Sequence, residues 1–275
     1  MILGYMGKSA PVLKFVDGLI FELLSTLMVF NLYPFGFWKE KDPKLLPDHS
    51  QKRPILLIHG IFHNHSAFYG LKKRLKRLGW GQVYTMNLST YRKGIVELSE
   101  EISQRVNIIL NTTKTPKVDI IAHSLGGIIA RYYIQFLGGA EKIRHCVTLG
   151  TPHRGTLLSA IGVGKSIKDL RYQRGIIKKL NSKPLPKSVK FTSFWSPFDT
   201  LVLPPRNAKM KENFITLGQV QNIKITQAGH AGFLFSKEVC HKIANILDSS
   251  RKYPEVIERQ KSFIENFALS SFLTL

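Results

Sequence analysis

Residues Val118-Asp119-Ile120-Ile121-Ala122-His123 form an apolar-rich strand, Ser124-Leu125-Gly126-Gly127 turn it, and Ile128-Ile129-Ala130-Arg131-Tyr132 continue as a helix. A strand that turns directly into a helix brings the two elements almost into contact. The residues flanking the turning serine must therefore be small, and here they are Ala122 and Gly126. The serine is lifted clear of the sheet on a strained turn, the arrangement of a nucleophile elbow. An ordinary glycine turn would not need the small residue, the serine and the paired glycines to fall in this order.

The rest of the chain repeats the same alternation. Pro54–His59, Gln82–Asn87, Val118–His123, His145–Leu149, Lys190–Trp195 and Asn222–Thr226 read as strands. Ala67–Leu78, Ile95–Leu110, Gly126–Phe136 and Glu238–Leu247 read as helices. Strands separated by helix-length segments predict an α/β protein with a mostly parallel central sheet and helices on both faces. The composition fits: 275 residues, 44% hydrophobic and 21% charged, far from disordered or low-complexity chains. One insert, residues 155–189, breaks the rhythm, and a plain crossover helix with long loops is the alternative reading of it. It carries a helical pattern over Ser166–Leu180 and is expected to form a lid at the edge where the motifs gather.

A serine hydroxyl is a weak nucleophile and needs a base held by a carboxylate. On an elbow of this kind the chain order is serine, acid, histidine. Between Ser124 and His230 the carboxylates are Glu141, Asp169, Asp199 and Glu212. Glu141 precedes a strand, at the wrong end of the sheet; Asp169 lies in the insert and Glu212 follows a basic loop. Asp199 follows the strand Lys190–Trp195 on a loop at its carboxyl edge and is the acid chosen. Among the later histidines, His145 begins a strand, His153 has only Glu141 before it, and His241 is inside a helix. His230 follows a strand at the same edge and is the base chosen. The strand that ends Leu56-Leu57-Ile58 turns at His59-Gly60-Ile61. That turn lets the Ile61 N–H pair with the Leu125 N–H as an oxyanion hole. His59, His63 and His65 do not read as a metal cluster, because His59 belongs to the turn and no carboxylate ligand is nearby. No cofactor or metal is expected.

The N-terminal fifty residues follow a different pattern. Gly18 to Trp38 is the most apolar stretch, yet Glu22 interrupts it and Pro34 and Gly36 break its second half. On a helical wheel Lys14, Glu22, Ser25 and Thr26 share one side. That pattern predicts a helix lying in a membrane interface or packed on the protein rather than a span. No clear secretory signal is present, so the expected location is peripheral to a membrane or cytoplasmic. The net charge of +22 favours anionic partners, an acidic membrane surface above all. No nucleic-acid-binding signature accompanies it and no nucleic acid is expected. Cys146 and Cys240 are too few for a disulfide framework. The tail 251–275 opens as a helix with a docking stripe of Val256, Ile257, Phe263, Ile264 and Phe267.

Taken together, the chain resembles the α/β-hydrolases, closest to bacterial triacylglycerol lipases and esterases with an Ala-x-Ser-x-Gly elbow. The matching segments are Ile58–Ile61, Ala122–Gly127, Leu149–Thr156, Ser196–Asp199 and Gly229–Leu234, all within the expected 51–250 hydrolase domain. The resemblance implies Ser124 as nucleophile, Asp199 as acid and His230 as base, with Ile61 and Leu125 supplying the oxyanion N–H groups. It implies a serine ester hydrolase for lipid acyl esters, working without a cofactor through an acyl-enzyme. The same triad would serve a phospholipid- or GPI-directed deacylase or an acyltransferase. A catalytically silent fold that binds membrane or protein is the non-enzymatic alternative. The N-terminal segment, the tail and the basic charge lie outside the resemblance.

Overall fold

In the computed structural model, residues 11–38, 40–44, 52–160, 164–171, 174–211 and 220–248 are described. The predicted docking stripe of the tail lies outside them. Six parallel strands form the centre: β1 (Ile55–Ile58), β2 (Val83–Met86), β3 (Val118–His123), β4 (Ile143–Leu149), β5 (Lys190–Trp195) and β6 (Val220–Lys224), in the order β2-β1-β3-β4-β5-β6. The helices are α1 (Pro11–Leu32), α2 (Tyr69–Arg77), α3 (Ile95–Thr113), α4 (Leu125–Phe136), α5 (Gly139–Lys142), α6 (Lys165–Lys168), α7 (Gly175–Ser182) and α8 (Lys237–Leu247).

Side chains alternate across a strand, so a continuous apolar run fills two cores at once. Leu56, Ile58, Ile120 and Ala122 face α3 and α4, where Ile102, Val106 and Ile129 are buried. Ile55, Leu57, Ile121 and Val147 face the other way, against α2 and α8 through Leu71, Leu75, Val239 and Ile243. Phe21 of α1 joins this second layer. Each side chain fully withdrawn from water in this way contributes about 1.5–3 kcal/mol.

The strand order reverses direction between β1 and β3. Helices leave these neighbours on opposite faces, which opens a crevice beyond their carboxyl ends, where ligands bind in open α/β sheets. The elbow and the His59-Gly60-Ile61 turn stand on its two sides.

The insert departs from the expected single helix over Ser166–Leu180. It is split into α6 and α7, because Arg174 is extended and Gly175 has φ 48°. After α6 the Asp169 carboxylate accepts the Ile95 N–H at the start of α3 (3.2 Å), and the Leu170 carbonyl accepts the Thr156 N–H (3.2 Å). The second half is anchored on α4, with Ile177 and Leu180 buried and the Leu180 carbonyl accepting from Arg131 and Gln135 (3.1 and 3.2 Å).

Of the side of α1 expected to be polar, Glu22 and Ser25 are buried and Thr26 is half-buried, while Phe21, Met28, Val29 and Leu32 also pack on the core. Leu19, Ile20, Leu23, Leu27 and Phe30 are exposed. The segment Val16–Phe37 is long and apolar enough to cross a membrane. It is nonetheless tied to the body at several points. The His63 ring donates to the Val29 carbonyl (3.1 Å), Asn64 Nδ2 to Tyr33 (2.9 Å) and Asn87 Nδ2 to Gly36 (3.0 Å).

Candidate active site

Ser124 sits at φ 53°, ψ −126° between the end of β3 and the first residue of α4. A non-glycine residue held there stores about 1–3 kcal/mol of strain, so its surroundings must hold it. Its N–H donates to the Leu149 carbonyl at the end of β4 (2.9 Å). Its carbonyl accepts from the Thr151 hydroxyl (2.8 Å). Of the two small residues expected to flank it, Gly126 is required by contact, and so is Gly60 on the neighbouring turn. A Cβ on Gly126 would lie 2.5 Å from the His59 carbonyl oxygen, and one on Gly60 would lie 2.8 Å from the Ser124 Cβ.

Asp199 hangs from the loop after β5, with its Oδ1 accepting the N–H groups of Leu201 and Val202 (2.9 and 2.8 Å). Both of its carboxylate oxygens lie 3.0 Å from His230 Nδ1. Nδ1–H therefore donates to Asp199, which leaves Nε2 as the basic lone pair. Both residues are buried. Burial works against the imidazolium, but the charge and hydrogen bond of Asp199, helped by Glu22, outweigh it and hold His230 above its ordinary 6.5. The His123 ring lies against that of His230 at 4.7 Å between centroids and donates from Nε2 to the His230 carbonyl (2.9 Å). Burial keeps His123 neutral, well below 6.5.

Gly150 connects the parts. It follows the Leu149 that accepts from Ser124, and at φ 55° it has no room for a side chain. A Cβ there would meet Asp199 Oδ2 at 2.9 Å and His230 Nδ1 at 3.1 Å. The backbone thus holds the Asp199–His230 pair against Gly150, one residue after the Leu149 that accepts from Ser124, at the sheet's carboxyl edge. Ile61 and Leu125 stand on the two turns that flank Ser124, the first after β1 and the second opening α4.

The histidines set aside in the sequence are employed elsewhere. His59 donates from Nδ1 to the Gly60 carbonyl (2.7 Å) and accepts the Leu88 N–H at Nε2 (2.8 Å), and burial lowers it to about 4. His65 pairs with Glu40 (3.2 Å). His153 is wedged between Arg131 and Thr148 (3.2 and 2.9 Å), and His145 meets the Thr192 hydroxyl (2.9 Å). Asp169 caps α3, and Glu212 lies outside the described residues. Sequence reasoning missed Glu22, which lies against the loop carrying His230. It lies about two hundred residues away along the chain, and only the glycines beside His230 mark the space it occupies.

A parallel α/β sheet with an elbow serine and an Asp–His pair at its carboxyl edge is the frame of the α/β-hydrolases. Residues 53–236 match the family described as alpha/beta hydrolase fold, and the chain belongs to that family. It is similar to triacylglycerol lipases of Pseudarthrobacter phenanthrenivorans and Burkholderia plantarii. Each is 32% identical over 111 residues, which cover 38% of this chain and 34% and 30% of theirs. The chain therefore spans about a third of the length of these curated relatives. Among solved structures, mature lipase BlEst2 of Bacillus licheniformis aligns with a TM-score of 0.62 at 17% identity, over 77% of this chain and 98% of its own. Lipase B of Aspergillus fumigatus gives the same score and identity over 77% and 56%. These structural likenesses concern the fold.

Proposed function

We propose that the protein is a serine ester hydrolase of lipid acyl esters, with Ser124 as nucleophile, His230 as base and Asp199 as the acid that orients it. The observation that carries this reading is the bond from His230 Nδ1 to both Asp199 oxygens beside a serine strained onto an elbow. His230 Nε2 takes the Ser124 proton as Oγ bonds to the ester carbonyl carbon. The carbonyl electrons move onto its oxygen, which accepts from the N–H groups of Ile61 and Leu125. Collapse breaks the bond to the alcohol, which leaves with the proton from His230. Water then repeats the steps on the acyl-enzyme and releases the acid. A lipid substrate is supported by the apolar side chains near these groups in the chain: Phe62 follows Ile61, Leu201 follows Asp199 by two, and both are exposed. The insert 155–189 is the proposed lid; of its described residues, Asp169 is tied to the start of α3 and Leu180 to α4.

The test is labelling by a fluorophosphonate probe, with Ser124→Ala as control, followed by p-nitrophenyl esters of increasing chain length. Labelling that disappears in the variant, with turnover favouring long chains, is expected. A folded wild-type protein that stays unlabelled even with detergent or liposomes refutes the reading.

The same proposal places the enzyme on an anionic bilayer, for which two features speak. Leu23, Leu27 and Phe30 of α1 and Phe35, Phe37 and Trp38 beyond it are exposed. A cleft of about 950 Å³ is lined by Phe35 and Trp38 together with Lys73, Lys76 and Arg77 of α2. Aromatic rings beside cations suit the boundary between acyl chains and acidic headgroups, where each basic residue contributes about 1 kcal/mol. Co-sedimentation with phosphatidylserine-containing vesicles should fall at least tenfold for the triple Lys73→Glu, Lys76→Glu, Arg77→Glu variant. Equal binding to neutral vesicles by the wild type would remove this part of the proposal.

A further inference from the structure

We infer that Glu22, on a helix outside the 53–236 hydrolase match, is a positioning residue that holds the His230 loop and sets the charge around it. The inference rests on the triad reading above.

The carboxylate is buried, at 6% exposure, and it is spent entirely on the two residues after the histidine. Oε1 accepts the Ala231 N–H at 2.7 Å and Oε2 the Gly232 N–H at 2.9 Å. One rigid two-pronged acceptor therefore fixes two successive peptides immediately beyond His230. The loop is cut to fit it. A Cβ on Gly229 would lie 2.6 Å from Glu22 Cδ, and one on Gly232 would lie 3.0 Å from Oε2. The glycines flanking His230-Ala231 thus leave room for a carboxylate supplied from the far end of the chain. Phe21, buried beside it, packs against the same loop.

A buried carboxylate is costly unless its charge does something there. Burial pushes the Glu22 pKa up, against the two N–H bonds and the attraction of His230. In return its charge adds to that of Asp199 in favouring the protonated imidazole. The titratable groups facing His230 are Asp199 from the β5 loop, Glu22 from α1 and His123 from β3. Of these only Glu22 is removable without touching the elbow or the orienting acid. The imidazolium formed as Ser124 attacks is the species it stabilises, so its loss should be felt in kcat rather than in KM.

Three variants of the full chain test this: Glu22→Gln, Glu22→Ala and Glu22→Asp, with fluorophosphonate titration counting the competent sites in each. Per competent site, Glu22→Gln should lose about tenfold in kcat with KM within twofold, because its amide cannot accept from both N–H groups. Its acid limb of kcat/KM should move to lower pH, since His230 loses an anionic neighbour. Glu22→Asp, which keeps the charge, should return the limb toward the wild-type position. Glu22→Gln with wild-type kcat per site and an unmoved limb overturns the inference. So does a limb that shifts equally in Glu22→Gln and Glu22→Asp. An unlabelled wild type would instead refute the triad reading, so the two failures are distinct.

Discussion

Gly126→Ala puts the contact between β1 and α4 to a quantitative test. The added methyl carbon would stand 2.5 Å from the His59 carbonyl oxygen, 2.6 Å from that of Ile58 and 3.0 Å from the Ile58 side chain. The first two neighbours are backbone, so no rotamer change relieves the overlap. To reach ordinary contact at about 3.5 Å, strand and helix must part by about 1 Å. Overpacking of this kind costs about 1–3 kcal/mol. For a domain of about 200 residues that lowers Tm by roughly 2–12 °C. The effect on rate should exceed the effect on stability. The strand end that must move leads directly to Gly60 and Ile61, and the helix that resists it begins at Leu125. Separating them pulls the proposed oxyanion donors apart, and a misplacement of about 1 Å costs about 10² in rate. Calorimetry and p-nitrophenyl ester kinetics on the folded variant measure the two effects separately. A Gly126→Ala protein with kcat within threefold of wild type would refute the assignment of Ile61 and Leu125 as a pair working across this contact.

Asp199→Asn should leave the fold in place and cut kcat by about 10⁴, because an amide facing His230 favours the wrong tautomer; steady-state kinetics decide it. Activity in the wild type should fall as pH drops through the His230 pKa, which lies above 6.5, since protonation removes the base. Stability follows the opposite class of histidine. His59 and His145 are pushed down by burial to about 4 and about 3. The unfolded chain then binds more protons below 6.5, and Tm should fall as pH is lowered from about 6.5 toward 4. His230, with its raised pKa, contributes the reverse sign: its stabilisation is present below 6.5 and lost as pH rises through its own value. Arg144→Ala strips the partner from Asp119, which is buried and held at 2.8 and 2.6 Å by that guanidinium. It should cost about 3–5 kcal/mol in denaturant melts while leaving kcat per folded molecule unchanged.

The parts of the fold legible in the sequence are those where local pattern and tertiary demand coincide. β3 and β5 run over the residues expected from the sequence, Val118–His123 and Lys190–Trp195, both short runs rich in β-branched and aromatic side chains. The Asp199 and His230 positions followed from chain order and sheet edge, both of which are one-dimensional properties. Gly150 was legible only as part of a motif, since its role is to leave space for Asp199 and His230, residues far along the chain. The split of the insert into α6 and α7 escaped the helical pattern for a different reason. The spacing of Ile167, Leu170, Ile177 and Leu180 suits one helix, but Gly175 at φ 48° and the tie of Asp169 to the α3 terminus break it.

α1 shows why a helical wheel alone misleads when the partner is polar. The usual inference sends the apolar stripe inward, because burying it is what stabilises a surface helix. Here the inward residues include Glu22 and Ser25, and the outward ones are leucine, isoleucine and phenylalanine. The inward side is held by the paired N–H groups of Ala231 and Gly232 on Glu22 and by Phe21, Met28, Val29 and Leu32 packed on the core. Leu19, Ile20, Leu23, Leu27 and Phe30 are then left exposed among the described residues, and the exposed stripe continues into Phe35, Phe37 and Trp38. An acidic bilayer would cover it and complete the exchange. If so, vesicle binding and the hold on His230 act through opposite faces of one helix. Leu23→Ser with Leu27→Ser should then weaken vesicle binding yet leave the acid limb of soluble-ester hydrolysis where it was. A shifted limb in that variant would mean that the two faces are not independent.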